Sequence, residues 1–94
     1  MLEIIQIEPN ELKLSGRFDA SQADSATKVL SAQTESFIID MSELDYISSM
    51  GLGVLIMTFK RLEESGHTLK LKNLSSHVRD VFKYTKLDQV IEII

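Results

Sequence analysis

Ninety-four residues with 44% hydrophobic content are enough for one compact domain and too few for two cores of ordinary size. Ten Lys and Arg residues against 14 Asp and Glu residues give a net charge of −4, and neither sign forms a long block, which argues against a nucleic-acid-binding protein. Because the chain contains no cysteine, disulfides, thiolate metal sites and cysteine nucleophiles are excluded.

The N-terminal residues, Met1-Leu2-Glu3-Ile4, lack the basic-then-apolar pattern of a signal peptide. No apolar run approaches the ~20 residues that a membrane-spanning helix needs. We therefore expect a single domain over residues 1–94, located in the cytoplasm, without membrane insertion and without a nucleic-acid partner.

The first predicted elements are two strands, around residues 2–7 and 12–17, in which apolar residues recur with the spacing of strands. Pro9 and Asn10 predict a turn between them, and hence a hairpin. Asp19 and Ser21 are candidate N-caps for a helix that runs to about Gln33.

The third predicted strand is the nearly uninterrupted apolar stretch 37–41, which we expect in the middle of the sheet with both faces covered. It closes on Asp40, and a short acidic loop is expected after it. Because strand ends and the following helix starts share one rim in parallel sheets, Asp19, Asp40 and Asp45 are expected near each other.

A second helix is predicted from about Ser49 to Ser65, with Gly66 in the position where helices usually end. Its core stripe follows helical spacing and contains Leu52, Leu55, Ile56, Phe59 and Leu62. Met50, Val54 and Met57 form a second apolar strip beside the serines. This strip either contacts a partner protein or is covered by neighbouring helices.

The remaining chain predicts a strand over 68–72, a short helix capped by Ser75 or Ser76, and a last strand over 90–94. Val78, Val81 and Phe82 form the apolar side of that helix, with Tyr84 as a further candidate. Strands that alternate with helices predict an α/β fold, a mainly parallel or mixed sheet with helices packed against it.

Ser48 and Ser49 stand where the second helix begins, and free backbone N–H groups at such a place favour a phosphate. A serine there is more often a plain N-cap, and Ser48 is the better candidate for that role. Gly51 and Gly53 each cost a helix about 1 kcal/mol relative to alanine. Close packing on the sheet and close approach by a partner both explain such glycines.

Four segments resemble the STAS domain of bacterial anti-sigma factor antagonists. Leu14-Ser15-Gly16-Arg17-Phe18-Asp19 is similar to the family's Leu-x-Gly-x-Leu-Asp, and Ile38-Ile39-Asp40-Met41-Ser42 to its Asp-x-Ser strand exit. Tyr46-Ile47-Ser48-Ser49-Met50-Gly51-Leu52-Gly53 is similar to its Asp-Ser-x-Gly-Leu-Gly signature. Residues 74–87 resemble its late helix, so that the resemblance covers almost the whole chain.

The resemblance implies that Ser49 accepts a phosphoryl group from a partner of the GHKL type that is both serine kinase and anti-sigma factor. The unmodified domain would bind this partner, the phosphorylated domain would release it, and a PP2C-type phosphatase would reset the switch. Ser48 replaces the family's aspartate before the acceptor, which makes Ser48 the runner-up site. The expected partner-binding residues are Asp19, Met50, Gly51, Gly53, Val54 and Met57.

We expect neither catalysis by the domain itself, nor a cofactor, nor a metal site. His67 and His77 belong to no recognisable pattern of base and nucleophile, and two histidines without matched carboxylates make a poor metal site. The alternative function is a constitutive STAS interaction subunit of a transporter or a larger signalling complex, in which Ser49 only begins a helix.

Overall fold

The computed structural model describes residues 2–94, which form one small domain with a five-stranded sheet and three α-helices. Single 3-10 turns precede the first α-helix, at Ala20–Gln22, and the last strand, at Leu87–Gln89. The strands are β1 (Leu2–Glu8), β2 (Glu11–Phe18), β3 (Phe37–Ile47), β4 (Leu69–Lys72) and β5 (Glu92–Ile93). The helices are α1 (Ala23–Ser31), α2 (Ser49–Glu64) and α3 (Ser76–Tyr84).

The sheet is mixed, with the strands in the order in which they occur along the chain. β1 and β2 form the predicted antiparallel hairpin, closed at the pair Glu8 and Glu11. The pairs β2/β3, β3/β4 and β4/β5 are all parallel, and an element that includes a helix joins each pair. The predicted α/β class, the order of the elements and the central place of β3 are confirmed.

β3 is longer than the sequence predicts, because the expected acidic loop after Asp40 continues the strand to Ile47. Between Asp40 and Glu43, and again between Leu44 and Tyr46, β3 carries one more residue than the facing segment of β2. Each extra residue is a β-bulge that reverses which side chains face the core. The alternation of buried and exposed residues therefore shifts by one position twice, between Met41 and Leu44 and again between Leu44 and Ile47. A search of the sequence for simple alternation does not detect such a strand.

The helices cover one face of the sheet, and the prediction that both faces of β3 are covered is wrong. Along the core face, β2, β3 and β4 bury Leu12, Leu14, Phe18, Phe37, Ile39, Met41, Leu69 and Leu71. The other face carries cross-strand ion pairs, Lys13 with Glu43 at 2.6 Å and Lys72 with Glu11 at 2.8 Å. Ile38 on this face is only half-buried, because it has charged neighbours and no helix above it.

α2 is held at both ends by local hydrogen bonds. At its C-terminus Gly66 has a φ of 79°, and the N–H groups of Gly66 and His67 donate to the carbonyls of Glu63 and Leu62. This is the Schellman arrangement, in which a glycine takes the left-handed conformation that ends a helix. The predicted stop at Gly66 is confirmed.

α3 follows the sequence prediction except at its last residue. Ser75 caps the helix, and Val78 and Phe82 are fully buried, as their spacing predicts. Tyr84 was a candidate for the same apolar side, but it is 91% exposed, since it lies in the last turn of the helix and points into solvent. Among residues 2–94, no helix is long and apolar enough to cross a membrane.

Candidate functional site

The junction of β3 and α2 consists of a single residue, Ser48, which is bonded at three of its groups. Its N–H donates to the carbonyl of Phe18 at 2.9 Å and so ties the junction to the end of β2. Its hydroxyl accepts from the N–H of Gly51 at 3.2 Å, and its carbonyl accepts from the N–H of Leu52 at 2.9 Å. Ser48 is therefore the N-cap of α2, as expected, and is half-buried.

Ser49 is the first residue of α2 and differs from its neighbour in being exposed. Within the described chain its hydroxyl has no hydrogen-bond partner. Because Ser48 satisfies the N–H groups of Gly51 and Leu52, the N–H groups of Ser49 and Met50 are the unused donors at this helix start. An exposed hydroxyl beside two free donors and the positive end of a helix dipole can carry a phosphate.

The two glycines of α2 have different surroundings. A Cβ atom on Gly51 would lie 2.9 Å from Cγ1 of Ile47 and 3.0 Å from the carbonyl oxygen of Phe18. Gly51 is buried, so that its small size allows α2 to pack on the ends of β2 and β3. A Cβ atom on Gly53 would have nothing within 4 Å, although glycine costs a helix interior about 1 kcal/mol relative to alanine.

Asp19 lies at the end of β2, directly after Phe18, whose carbonyl accepts the hydrogen bond from the N–H of Ser48. Its carboxylate accepts from the hydroxyl of Ser21 at 2.6 Å and from the N–H of Ser21 at 3.1 Å, while its own N–H donates to the side chain of Gln22. These bonds form the capping box of the turn before α1. The hydrogen bond from the Ser21 side chain is the main cause of an Asp19 pKa below its ordinary value.

Asp40 does not lie at this rim, contrary to the sequence prediction. It pairs with Lys13 in the middle of β2, and β3 continues for seven more residues, or about 23 Å of strand, to end at Ile47. Partial burial opposes ionisation of Asp40, but hydrogen bonds from Ser42 and Asn73 and the nearby charge of Lys72 outweigh it and lower its pKa. Asp45 lies two residues before Ile47 within β3 and is exposed.

The second apolar strip of α2 is only partly exposed. Met50 and Met57 are 55% and 69% exposed, whereas Val54 is buried against the chain itself. A surface cleft of about 340 Å³ lies along this side of α2, and α1 forms its other wall. Its lining brings together Ser49, Met50, Gly53, Val54 and Met57 from α2 with Ala23, Asp24 and Thr27 from α1.

The α1 wall is the part of the site that the sequence analysis missed. Asp24 and Thr27 occur in a helix whose periodicity predicts only a buried side and a solvated side. Because the cleft depends on how two helices pack, no local pattern in either helix reveals it.

The two histidines lie elsewhere. Nδ1 of His67 is 3.4 Å from the hydroxyl of Ser36, which lies next to the first residue of β3, whereas Ser49 lies beyond the other end of that strand. His77 is an exposed residue in the first turn of α3. Among residues 2–94, no group of three His, Cys, Asp or Glu side chains is placed to hold a metal ion.

The chain is similar to known proteins of one family. The family model described as "STAS domain" matches residues 4–94. The anti-sigma-B factor antagonist of Bacillus subtilis strain 168 is 30% identical over 96 aligned residues, which cover 95% of this chain and 88% of that protein.

Two solved structures of SpoIIAA share the fold. The unphosphorylated anti-sigma factor antagonist SpoIIAA superposes with a TM-score of 0.78 at 20% identity, covering 100% of this chain and 88% of that one. The phosphorylated form of SpoIIAA, described as a Bacillus cell fate determinant, superposes with a TM-score of 0.72 at 17% identity, covering 100% and 91%. The arrangement of five strands and three helices is thus that of anti-sigma factor antagonists.

Proposed function

The chain belongs to the STAS domain family, and from this membership we propose that it is an anti-sigma factor antagonist that works as a partner switch. Unphosphorylated, it binds an anti-sigma factor of the GHKL type that is also a serine kinase. Transfer of the terminal phosphoryl group of ATP to Oγ of Ser49 releases ADP and the hydroxyl proton, and the modified domain leaves its partner. A PP2C-type phosphatase restores the unmodified serine.

The observation that carries this proposal is that, at the start of the helix that lines the cleft, Ser48 is bonded and Ser49 is exposed. The hydroxyl of Ser48 is occupied as the cap of α2, and its N–H is bonded to Phe18. The hydroxyl of Ser49 is exposed and has no partner within residues 2–94. An incoming kinase therefore meets Ser49 without breaking the helix start, whereas modification of Ser48 would remove the cap. This favours Ser49 over the runner-up.

The electrostatics of the helix start support an effect of the phosphate on the complex rather than on the domain. A phosphoserine adds about −1.5 to −2 charges, which the free N–H groups of Ser49 and Met50 and the helix dipole accommodate. A partner surface that fits the neutral hydroxyl would have to take up this dianion. A loss of about 3 kcal/mol at that interface weakens binding more than a hundredfold.

Of the residues expected to contact the partner, Met50 and Met57 offer the most exposed apolar surface beside Ser49. Gly53 lies open between them, and Asp19 stands at the neighbouring end of β2. Gly51 is buried against the ends of β2 and β3, and the buried Val54 contributes only to the base of the cleft. We therefore propose that the partner-binding surface consists of Asp19, Met50, Gly53 and Met57 around Ser49.

The proposal is tested by incubating the domain with its cognate kinase and Mg-ATP and by mapping the phosphate by mass spectrometry. We expect one phosphate on Ser49, no incorporation in Ser49→Ala, and incorporation retained in Ser48→Ala. Calorimetry with the same kinase should show tight binding of the unmodified domain and weak binding of the phosphorylated one. Stable binding without any labelled serine would instead support the constitutive interaction subunit.

A further inference from the structure

A groove runs along the surface between α1 and α2 and begins at the proposed phosphorylation site. Ser49 lines the first cleft of about 340 Å³, and a second cleft of about 170 Å³ continues towards Arg61 in the last turn of α2. Thr27, Val54 and Met57 line both clefts, which makes them one groove. Any protein that brings a phosphoryl donor to Ser49 covers the near end of this groove.

The walls of the groove near Ser49 are mainly apolar. Ala23 and Val54 form its base, and the exposed side chains of Met50 and Met57 stand along its rim. The one ionisable residue of this first cleft is Asp24. Methionine side chains are flexible and polarizable, so that this rim can adapt to an inserted apolar side chain.

Gly53 is the feature that points to an occupant. It lies in the interior of α2 and lines the groove, and a Cβ atom placed there would touch nothing within 4 Å. Packing within the domain explains Gly51 but not Gly53, although alanine would favour the helix. A glycine without an internal reason leaves room for a group from outside the chain.

We propose that the groove receives an apolar side chain of the kinase that modifies Ser49, and that Gly53 lacks a side chain in order to admit it. This inference rests on the proposed function, because the occupant that we propose for the groove belongs to the kinase. The inserted side chain lies over Gly53 between the two methionines and fixes the register in which the kinase meets Ser49. Gly53 is thus a determinant of partner specificity, one turn along the helix from the modified hydroxyl.

The test compares Gly53→Ala and Gly53→Leu with the original chain in kinase binding, measured by calorimetry, and in thermal unfolding. Gly53→Ala should raise the melting temperature by up to about 4–8 °C, because alanine favours the helix. Gly53→Leu should weaken kinase binding roughly tenfold or more, since its side chain occupies the groove, and Gly53→Ala should weaken it less. Glu63→Leu, on an exposed position of α2 away from α1, is the control and should bind like the original chain.

The outcomes separate the two proposals. If the original chain binds the kinase and is labelled on Ser49, but Gly53→Leu binds equally well, the groove inference is wrong and the partner switch stands. If the original chain does not bind the kinase, both proposals are wrong. If Gly53→Leu changes only the self-association of the domain in sedimentation, the occupant is a second copy, and the inference is overturned.

Discussion

The starts of α2 and α3 have the same local design. Each helix begins with two adjacent serines, of which the first is the cap and the second is exposed. The hydroxyl of Ser48 accepts from the N–H of Gly51 at 3.2 Å, and that of Ser75 accepts from the N–H of Val78 at 3.4 Å. A helix start that can accommodate a phosphate is therefore not unique to α2. A capping serine followed by an exposed serine does not by itself identify a modification site.

The difference lies in how each helix meets the sheet. At the equivalent third position, α2 has Gly51, which approaches β2 and β3 too closely for a Cβ atom, whereas α3 buries the whole side chain of Val78. One residue joins β3 to α2, but three residues, including Asn73 with a φ of 60°, join β4 to α3. Close packing and a short junction hold the start of α2 firmly, and there the exposed serine lines a groove.

The largest effect should come from substituting the third residue of each helix, Gly51 in α2 and Val78 in α3. Gly51→Val would place methyl groups within contact distance of Ile47 and Phe18, and overpacking of this kind destabilises by about 1–3 kcal/mol. Val78→Ala should destabilise by roughly 2 kcal/mol for the opposite reason, a lost buried side chain. Urea unfolding of both variants measures this. Unchanged stability of Gly51→Val would show that α2 can move away from the sheet. The two helix starts would then not differ in how closely they are held.

The next effect concerns binding. Ser49→Asp adds a single negative charge to the proposed partner-binding surface, and a loss of about 1.5 kcal/mol, or roughly tenfold, is expected in kinase affinity. Ser76→Asp makes the matched change at the start of α3 and should leave the affinity unchanged. Calorimetry with the kinase compares them. Equal losses in both variants would mean that general charge repulsion, and not the position of Ser49, governs release.

The two N-cap serines, Ser48 and Ser75, should contribute equally to the free energy of unfolding. Ser48→Ala and Ser75→Ala each remove a side-chain acceptor from a helix start, and each should destabilise by about 1 kcal/mol. Chemical denaturation measures both, with Ser76→Ala as the control for the loss of a hydroxyl. A much larger loss in Ser48→Ala would indicate that the one-residue junction adds to the cap.

The smallest effect concerns the stability of the fold at acid pH and involves Asp40, which contacts the junction between β4 and α3. Asn73, which begins the junction to α3, donates to the carboxylate of Asp40 at 3.4 Å. Partial burial opposes ionisation of Asp40, but the hydrogen bonds from Ser42 and Asn73 outweigh it and hold its pKa below the ordinary value of 3.8. A lowered pKa stabilises the fold above the ordinary value, and this contribution disappears as pH falls through the folded pKa. Asp40→Asn should therefore show a slightly weaker loss of stability between neutral and acid pH. An unaltered pH profile would contradict this assignment.

The features that the sequence predicts correctly are those decided by neighbouring residues. The cap at Ser48, the stop at Gly66 and the turn at Pro9 and Asn10 each depend on the conformation of a few consecutive residues. The alternation of strands and helices then restricts the sheet to a mainly parallel one. For this reason the fold class and the position of Ser49 at a helix start follow from the sequence.

The errors come from interactions between distant segments. The bulges of β3 depend on its pairing with β2 and made the acidic residues 42–46 resemble a loop. The apolar stretch 37–41 predicted two covered faces, although all helices lie on one side and ion pairs occupy the other. Gly51 and Gly53 look alike in the sequence, and only the distances to Ile47 and Phe18 separate a packing glycine from an open one.

The double anchoring of α2, at Ser48 and at Gly66, has a kinetic consequence. Because these bonds fix the backbone of the helix at both ends, the proposed phosphorylation of Ser49 requires no slow refolding of α2 before or after it. In the proposed switch, the pace of signalling is then set by the turnover of the two opposing enzymes and by the dissociation of the complex. A domain that works in this way keeps no record of earlier cycles in its own shape.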